Sequence, residues 1–231
     1  MSMEQMRYRG ESVGDIIERS ISAPESAPLL FLMGPYRLLD PKYVYAEGEF
    51  PLPTDPLAPS NEVPQPDLIE TTLREIASRI SEATAATAFI ASDVDIPTRK
   101  EVADKGLDEP GMAVIDQSVA FARASAGNAF VFTKAGLTTG VGAETGAIPE
   151  HFRLRKPGES LRDPRMFCIF AEGERRDNGT YDPRFSSASI DEMDDAYDLR
   201  FMYFETREEL VEKLVTFVEA YVIPLHGDDQ L

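Results

Sequence analysis

Five short apolar runs, separated by helical patterns, restrict this chain to very few architectures. The first is Leu29-Leu-Phe-Leu-Met33, bounded by Pro28 and by Gly34-Pro35. Thr87-Ala-Phe-Ile-Ala91, Ala129-Phe-Val-Phe-Thr133, the segment 165–171 and Leu199-Arg-Phe-Met-Tyr-Phe204 follow. Runs this short and this apolar read as strands buried on both faces of a sheet. Helical patterns lie between them. The clearest covers 68–83, with Asp67 as its cap and Ile69, Leu73, Ile76 and Ile80 on one side. Others cover 113–124, the stretch from the glycine-rich segment to about residue 152, a short piece within 189–197, and 207–221. Strands alternating with helices build βαβ units, so the predicted fold class is α/β. We expect a Rossmann-like three-layer domain with a mostly parallel sheet of about five strands.

The 231 residues suit one domain. Residues 1–28 read as an N-terminal helical extension, with an amphipathic helix over 3–21. Residues 41–66 read as a Pro-rich insertion, carrying Pro51, Pro53, Pro56, Pro59, Pro64 and Pro66 and few periodic apolar positions. Surface loops of that length are often lids or binding loops.

Charge narrows the function classes. The chain has 41 Asp+Glu against 23 Lys+Arg, a formal net charge of -18, with the acidic residues spread along its whole length. Such a surface resembles that of a protein from a salt-loving cytoplasm, where high ionic strength screens self-repulsion; an ordinary acidic surface is the alternative. No basic stripe is available to displace the counterions of a nucleic acid, so nucleic acid is excluded as a partner. The clusters Arg153-Leu-Arg-Lys156 and Arg175-Arg176 read as solvated loop charges or as phosphate contacts at a site edge. Cys168, the one cysteine, lies in the apolar Met166-Phe-Cys-Ile-Phe170 and reads as an inert core thiol. With His151 and His226 as the two histidines, no metal site is predicted, and no cofactor. No signal-like segment and no apolar run of membrane-spanning length is read, so the expected location is cytoplasmic, with no membrane partner.

In parallel sheets, ligands bind outside the C-terminal strand ends. Gly34, Pro35 and Tyr36 follow the first strand, Asp93 and Asp95 the second, and Gly136-Leu-Thr-Thr-Gly-Val-Gly-Ala-Glu-Thr-Gly146 the third. A strand, a glycine-rich turn holding Gly140 and Gly142, and a helix starting near Ala143 would aim backbone N–H groups at a phosphate or ribose. Glu144 would stand in that first helical turn. Each residue also has a plain reading. Glu144 could complement the helix dipole, worth about 0.3–1 kcal/mol. Asp93 and Asp95 could be loop solvation or an Asx turn, and Tyr36 a packing residue. Asp116 and Gln117 could face the pocket or solvent, with solvent the favoured reading, and His151 reads as a favourable charge at a helix C-terminus. Phe201, Tyr203 and the stripe Leu210, Leu214, Phe217, Val218 read as core.

Phe31-Leu-Met-Gly-Pro-Tyr36 resembles the opening of nucleoside 2-deoxyribosyltransferases. Gly140-Val-Gly-Ala-Glu-Thr-Gly146 is similar to their Gly-x-x-x-Glu-Leu-Gly element, with Thr145 departing from the usual leucine or isoleucine. Related elements occur in Toll/interleukin-receptor-like nucleotide hydrolases and in cytokinin-activating phosphoribohydrolases. The resemblance covers roughly 29–152. It implies cleavage or transfer of an N-glycosidic bond on a nucleoside, a nucleotide or NAD, with Glu144 as the group that attacks or stabilises the sugar C1′. It further implies that Asp93 or Asp95 positions the ribose or helps the base leave, and that Gly34, Pro35, Gly140 and Gly142 let the backbone approach the ligand. Tyr36 would stack on the base. A homo-oligomer is likewise implied. Two other readings stay open: a non-catalytic nucleotide-sensing or protein-interaction module of the same fold, and a role in an assembly with the Pro-rich loop and N-terminal helix as contacts.

Overall fold

The computed structural model describes residues 6–35, 56–57, 68–134, 138–155, 158–179, 181–183 and 193–228. It opens not with a long helix but with a small antiparallel hairpin, β1 (Arg7–Tyr8) and β2 (Glu11–Ser12). Arg9 and Gly10 have φ of 53° and 85°, the paired positive values that a tight two-residue hairpin turn requires. The expected helix over 3–21 is therefore confined to α1 (Val13–Ser20). Then come β3 (Leu29–Met33), α2 (Leu68–Ala83), β4 (Thr87–Phe89), a 3-10 turn (Ala91–Asp93) and α3 (Arg99–Lys105). They are followed by α4 (Val114–Ala124), β5 (Gly127–Phe132), α5 (Thr139–His151), β6 (Phe167–Arg175) and β7 (Tyr181–Pro183). The described chain closes with α6 (Met193–Tyr197), β8 (Arg200–Phe204), α7 (Arg207–Phe217), a π turn (Val218–Val222) and α8 (Ile223–Asp228). The expected cap Asp67 lies outside the described residues, as does nearly all of the Pro-rich segment 41–66.

Five strands form one parallel sheet in the order β4-β3-β5-β6-β8. The fold is α/β and Rossmann-like, as the apolar runs predict. The chain steps outward from β3 to β4, then returns across β3 to β5, so the winding reverses between β3 and β5. That reversal is the switch point of a doubly wound sheet. Strand alternation sorts the core into two layers. Phe31, Met33, Phe130, Phe132 and Ile169 face α1, α4 and α5. Leu30, Leu32, Val131 and Phe170 face α2 and α7, and Leu57 is buried in the same layer. Leu210, Leu214, Phe217 and Val218 are buried as read, whereas Phe201 and Tyr203 on the outer strand β8 are only half-buried. β7 is an addition to the expected pattern: it pairs antiparallel with the last residues of β6. Among the described residues no helix is long and apolar enough to cross a membrane.

Residues 97–112 leave the β4 end of the sheet as a closed flap around α3. Thr98 caps that helix, its Oγ1 accepting from the Glu101 N–H at 3.2 Å while Glu101 Oε2 accepts from the Thr98 N–H at 2.8 Å. The flap is pinned at its base by Arg99 N to Met112 O (2.8 Å) and Met112 N to Pro97 O (2.9 Å). The N-terminal hairpin holds its far side, with the Tyr8 hydroxyl donating to Pro110 O at 2.6 Å and Arg9 pairing with Glu109 at 3.0 Å. Gly111 stands at the pinch, where an added Cβ would lie 2.5 Å from backbone atoms of Thr98 and Arg99. Gly111→Ala should therefore force the two pinning hydrogen bonds apart, at a cost of about 1–3 kcal/mol. Hydrogen exchange at the Arg99 and Met112 amides should accelerate; protection equal to wild type would show that the pinch tolerates a methyl group.

Candidate functional site

The flap, the hairpin-bearing N-terminal segment and the sheet enclose a cleft of about 720 Å³. It opens where β4 ends and where α4 and α5 begin, the end of a parallel sheet at which ligands bind. Arg19 and Ser20 from α1 form one wall and the 91–98 turn another. Ser20 Oγ accepts from the Asp95 N–H at 3.0 Å, which fastens these two walls together. The flap adds Glu101, Lys105, Leu107 and Glu109, and α4 adds Val114, Gln117 and Ser118. The expected N-terminal extension is thus part of the site.

Glu144 reaches the cleft from α5. The helix begins at Thr139, earlier than the glycines suggested, so Glu144 lies in its second turn and not at its N-terminus. Helix propensity disfavours Gly140, Gly142 and Gly146, but packing overrides it. Val141, Glu144, Thr145 and Ile148 are all buried, and their i, i+3, i+4, i+7 spacing is that of a helix stripe facing the core. Thr145, the departure from the resembled motif, turns its hydroxyl back to Val141 O at 2.6 Å. Glu144 occupies a core-stripe position with 9 % of its surface exposed. The Ser118 hydroxyl, 2.6 Å away, donates to its Oε1, and no cation pairs with it among the described residues. Burial pushes the Glu144 carboxyl above its ordinary value near 4.5, against the opposing effect of the Ser118 hydrogen bond.

Asp93 and Asp95 line the same cleft as Glu144. They differ in freedom. Asp93 Oδ1 accepts from Arg74 Nε at 2.6 Å and Oδ2 from the Ile90 N–H at 3.3 Å, so it is held in its turn. Asp95 is exposed and makes no ion pair among the described residues. Gly34 and Pro35 are buried and do not line the cleft. An added Cβ at Gly34 would come within 3.1 Å of Leu73, so the close approach of α2 accounts for that glycine. Gly140 and Gly142 are exposed on the outer side of α5, facing open space. Tyr36 and Gly136 lie outside the described residues.

Sequence reasoning missed two residues here. Gln117, read as solvent-facing, is buried, and its Nε2 donates to Ile96 O at 2.5 Å, tying α4 to the turn after β4. Ser118 was not singled out at all. The available signal was a pair of polar residues, Gln117-Ser118, interrupting the apolar face of a helix, one turn before Phe121. Asp116, by contrast, is exposed as read. Burial first, and the Arg123 charge second, push the His151 imidazole below its ordinary value, which works against the favourable charge expected of it at the end of α5. Among the described residues no group of three or more His, Cys, Asp or Glu side chains could hold a metal ion.

The family described as Domain of unknown function (DUF7509) matches residues 14–227, from α1 to α8. The chain belongs to this family. No curated protein matches the chain, and no solved structure matches it either. The DUF7509 match contains the whole cleft from Arg19 to Glu144, while the hairpin that braces the flap precedes it.

Ser118 should act on Glu144 by stabilising its charged form. Removing the hydroxyl, in Ser118→Ala, is expected to raise the carboxyl pKa further. A carbon-13 NMR titration of the Glu144 side chain reads this directly, and an unchanged midpoint would deny the hydrogen bond its role.

Proposed function

We propose that the protein cleaves or transfers the N-glycosidic bond of a nucleoside, a nucleotide or NAD, with Glu144 as the group that meets the sugar. One observation supports this reading above all. A nearly buried carboxyl with no cationic partner among the described residues faces a cleft of nucleoside size, which it shares with two aspartates.

Breaking such a bond passes through a sugar with positive charge developing at C1′. Ionising Glu144 is costly because its carboxyl is nearly buried. Charge appearing at C1′ offsets that cost at the transition state, so the carboxylate favours the transition state over the bound substrate. It then remains as a counter-charge or adds to C1′ as an ester, which water or a second base resolves. Ser118 serves both protonation states. Its hydroxyl donates to the ionised carboxylate; when Glu144 carries the proton, Ser118 Oγ accepts it and donates instead to Val114 O, 3.1 Å away. Asp95, exposed at the cleft, would take sugar hydroxyls. Asp93 keeps Asp95 in position through its turn.

The reading includes a cytoplasmic location, a salt-adapted surface and a homo-oligomeric assembly, on the strength of the -18 charge and the family resemblance. The test is therefore run in molar KCl. Wild type and Glu144→Gln are incubated with NAD, nucleoside monophosphates, nucleosides and deoxynucleosides, and the freed base is quantified by chromatography. Release by wild type alone supports the proposal. The commitment of Asp93 to Arg74 favours a second reading, a non-catalytic nucleotide-sensing or interaction module. Binding without release by folded wild type would select it.

A further inference from the structure

The charges around the cleft point to its ligand. Among the described residues that line it are six carboxylates, on Glu70, Asp93, Asp95, Glu101, Glu109 and Glu144. Against them stand two cations, Arg19 and Lys105, and each already has an acidic partner: Arg19 pairs with Glu11, and Lys105 with Glu101 at 3.6 Å. The nearby Arg74 is taken up as well, by Asp93 at 2.6 Å and Glu70 at 2.9 Å. Four of the carboxylates are paired in turn, Glu70 and Asp93 with Arg74, Glu101 with Lys105 and Glu109 with Arg9. A phosphate entering this cleft would meet Asp95 and Glu144, unpaired among the described residues, and find no uncommitted described cation. A positive charge would meet the field that low-dielectric walls focus. Leu107 and Val114, both exposed, give the same cleft an apolar edge suited to a flat ring.

We propose that the cleft selects by charge and takes a glycoside that bears no phosphate and whose leaving base is positively charged, a pyridinium or N-alkylated purine riboside. This rests on the reading of the cleft as an N-glycoside site. The chemistry closes without an acid to protonate the base. The C1′–N bond breaks with its electron pair passing to the ring nitrogen, so a cationic base leaves neutral. A Glu144 oxygen forms the bond to C1′. Water then attacks C1′, the ester C1′–O bond breaks with its pair returning to the carboxylate, and one proton passes to solvent. A bound cation also favours the ionised form of Glu144, so the substrate's own charge readies the carboxylate that attacks it.

Three probes separate the terms: nicotinamide riboside (cationic), nicotinamide mononucleotide (the same base with a phosphate) and inosine (neutral). Their affinities for Glu144→Gln are measured by calorimetry at the lowest KCl that keeps the protein folded, and base release by wild type is measured in parallel. The riboside should bind at least about ten-fold tighter than either competitor. The Asp95→Asn, Glu109→Gln double change should shrink that advantage. Equal or tighter binding of the mononucleotide, or no binding of any probe, overturns the inference. The two readings fail separately. Selective riboside binding without release by wild type keeps the charge selection and removes the glycosidase. Preferred cleavage of the mononucleotide, lost in Glu144→Gln, does the reverse.

Discussion

Glu144→Gln is expected to lower base release by about 10²–10⁴-fold, the range typical of a positioned proton-transfer or charge-stabilising group, while leaving the protein at least as stable. The amide keeps the shape of the side chain and can still accept from Ser118, so what is lost is the charge. That charge is a burden to the fold. The folded carboxyl titrates above its ordinary value near 4.5. Between those two values the native state holds a proton that the unfolded chain has released, so wild-type stability falls as pH rises through that window and is level above it. The variant has no such dependence. Its thermal midpoint should exceed that of wild type at pH 8, and the gap should close as pH falls below about 4.5. A Gln variant that is both less active and less stable at pH 8 would mean that the carboxylate has a structural partner, and the site assignment would fail. The kcat/KM profile of wild type should rise with pH through the free-enzyme titration of Glu144.

Phe121→Ala should be the most damaging truncation beneath the site, costing about 3–5 kcal/mol. The ring is fully buried on α4, one turn beyond Gln117 and Ser118. It meets Phe31 edge-on at 5.7 Å and Phe89 at 6.1 Å, while those two stack on each other at 5.2 Å. The cluster joins the helix carrying Ser118 to the central strand and to the strand that ends in the Asp93 turn. For a domain of this length the midpoint should drop by about 6–20 °C. Because α4 would loosen as well, Glu144 should titrate less uniformly in the variant. A midpoint within a few degrees of wild type would show that the neighbouring rings collapse into the space.

The strands were legible because a parallel sheet, buried on both faces, leaves continuous apolar runs such as Leu29-Leu-Phe-Leu-Met33. The hairpin was not, since strands of two residues carry no period, and its Arg9-Gly10 turn has the glycine but not the Asn or Asp that usually precedes it. β7 lay hidden for a similar reason, being a three-residue polar strand ending in Pro183. Glycines misled at the start of α5: local propensity kept Gly140 to Gly142 in a turn and began the helix near Ala143, whereas it begins at Thr139 and its stripe Val141, Glu144, Thr145, Ile148 buries Glu144. Asp93 could be placed at the end of a strand, but its ion pair with Arg74 joins residues nineteen apart in sequence that only the tertiary fold brings together. Ser118 belongs to the same class. Its meaning depends on a carboxylate contributed by a different helix.

Cys168, the second residue of β6, has no exposed surface, and burial raises its thiol well above the range in which thiolate forms. The native chain should therefore be silent towards thiol-directed probes. A single cysteine introduced at Lys105, on the flap, would be the one reactive thiol of the folded protein, and a fluorophore or spin label attached there could report flap movement over the cleft without any background to subtract.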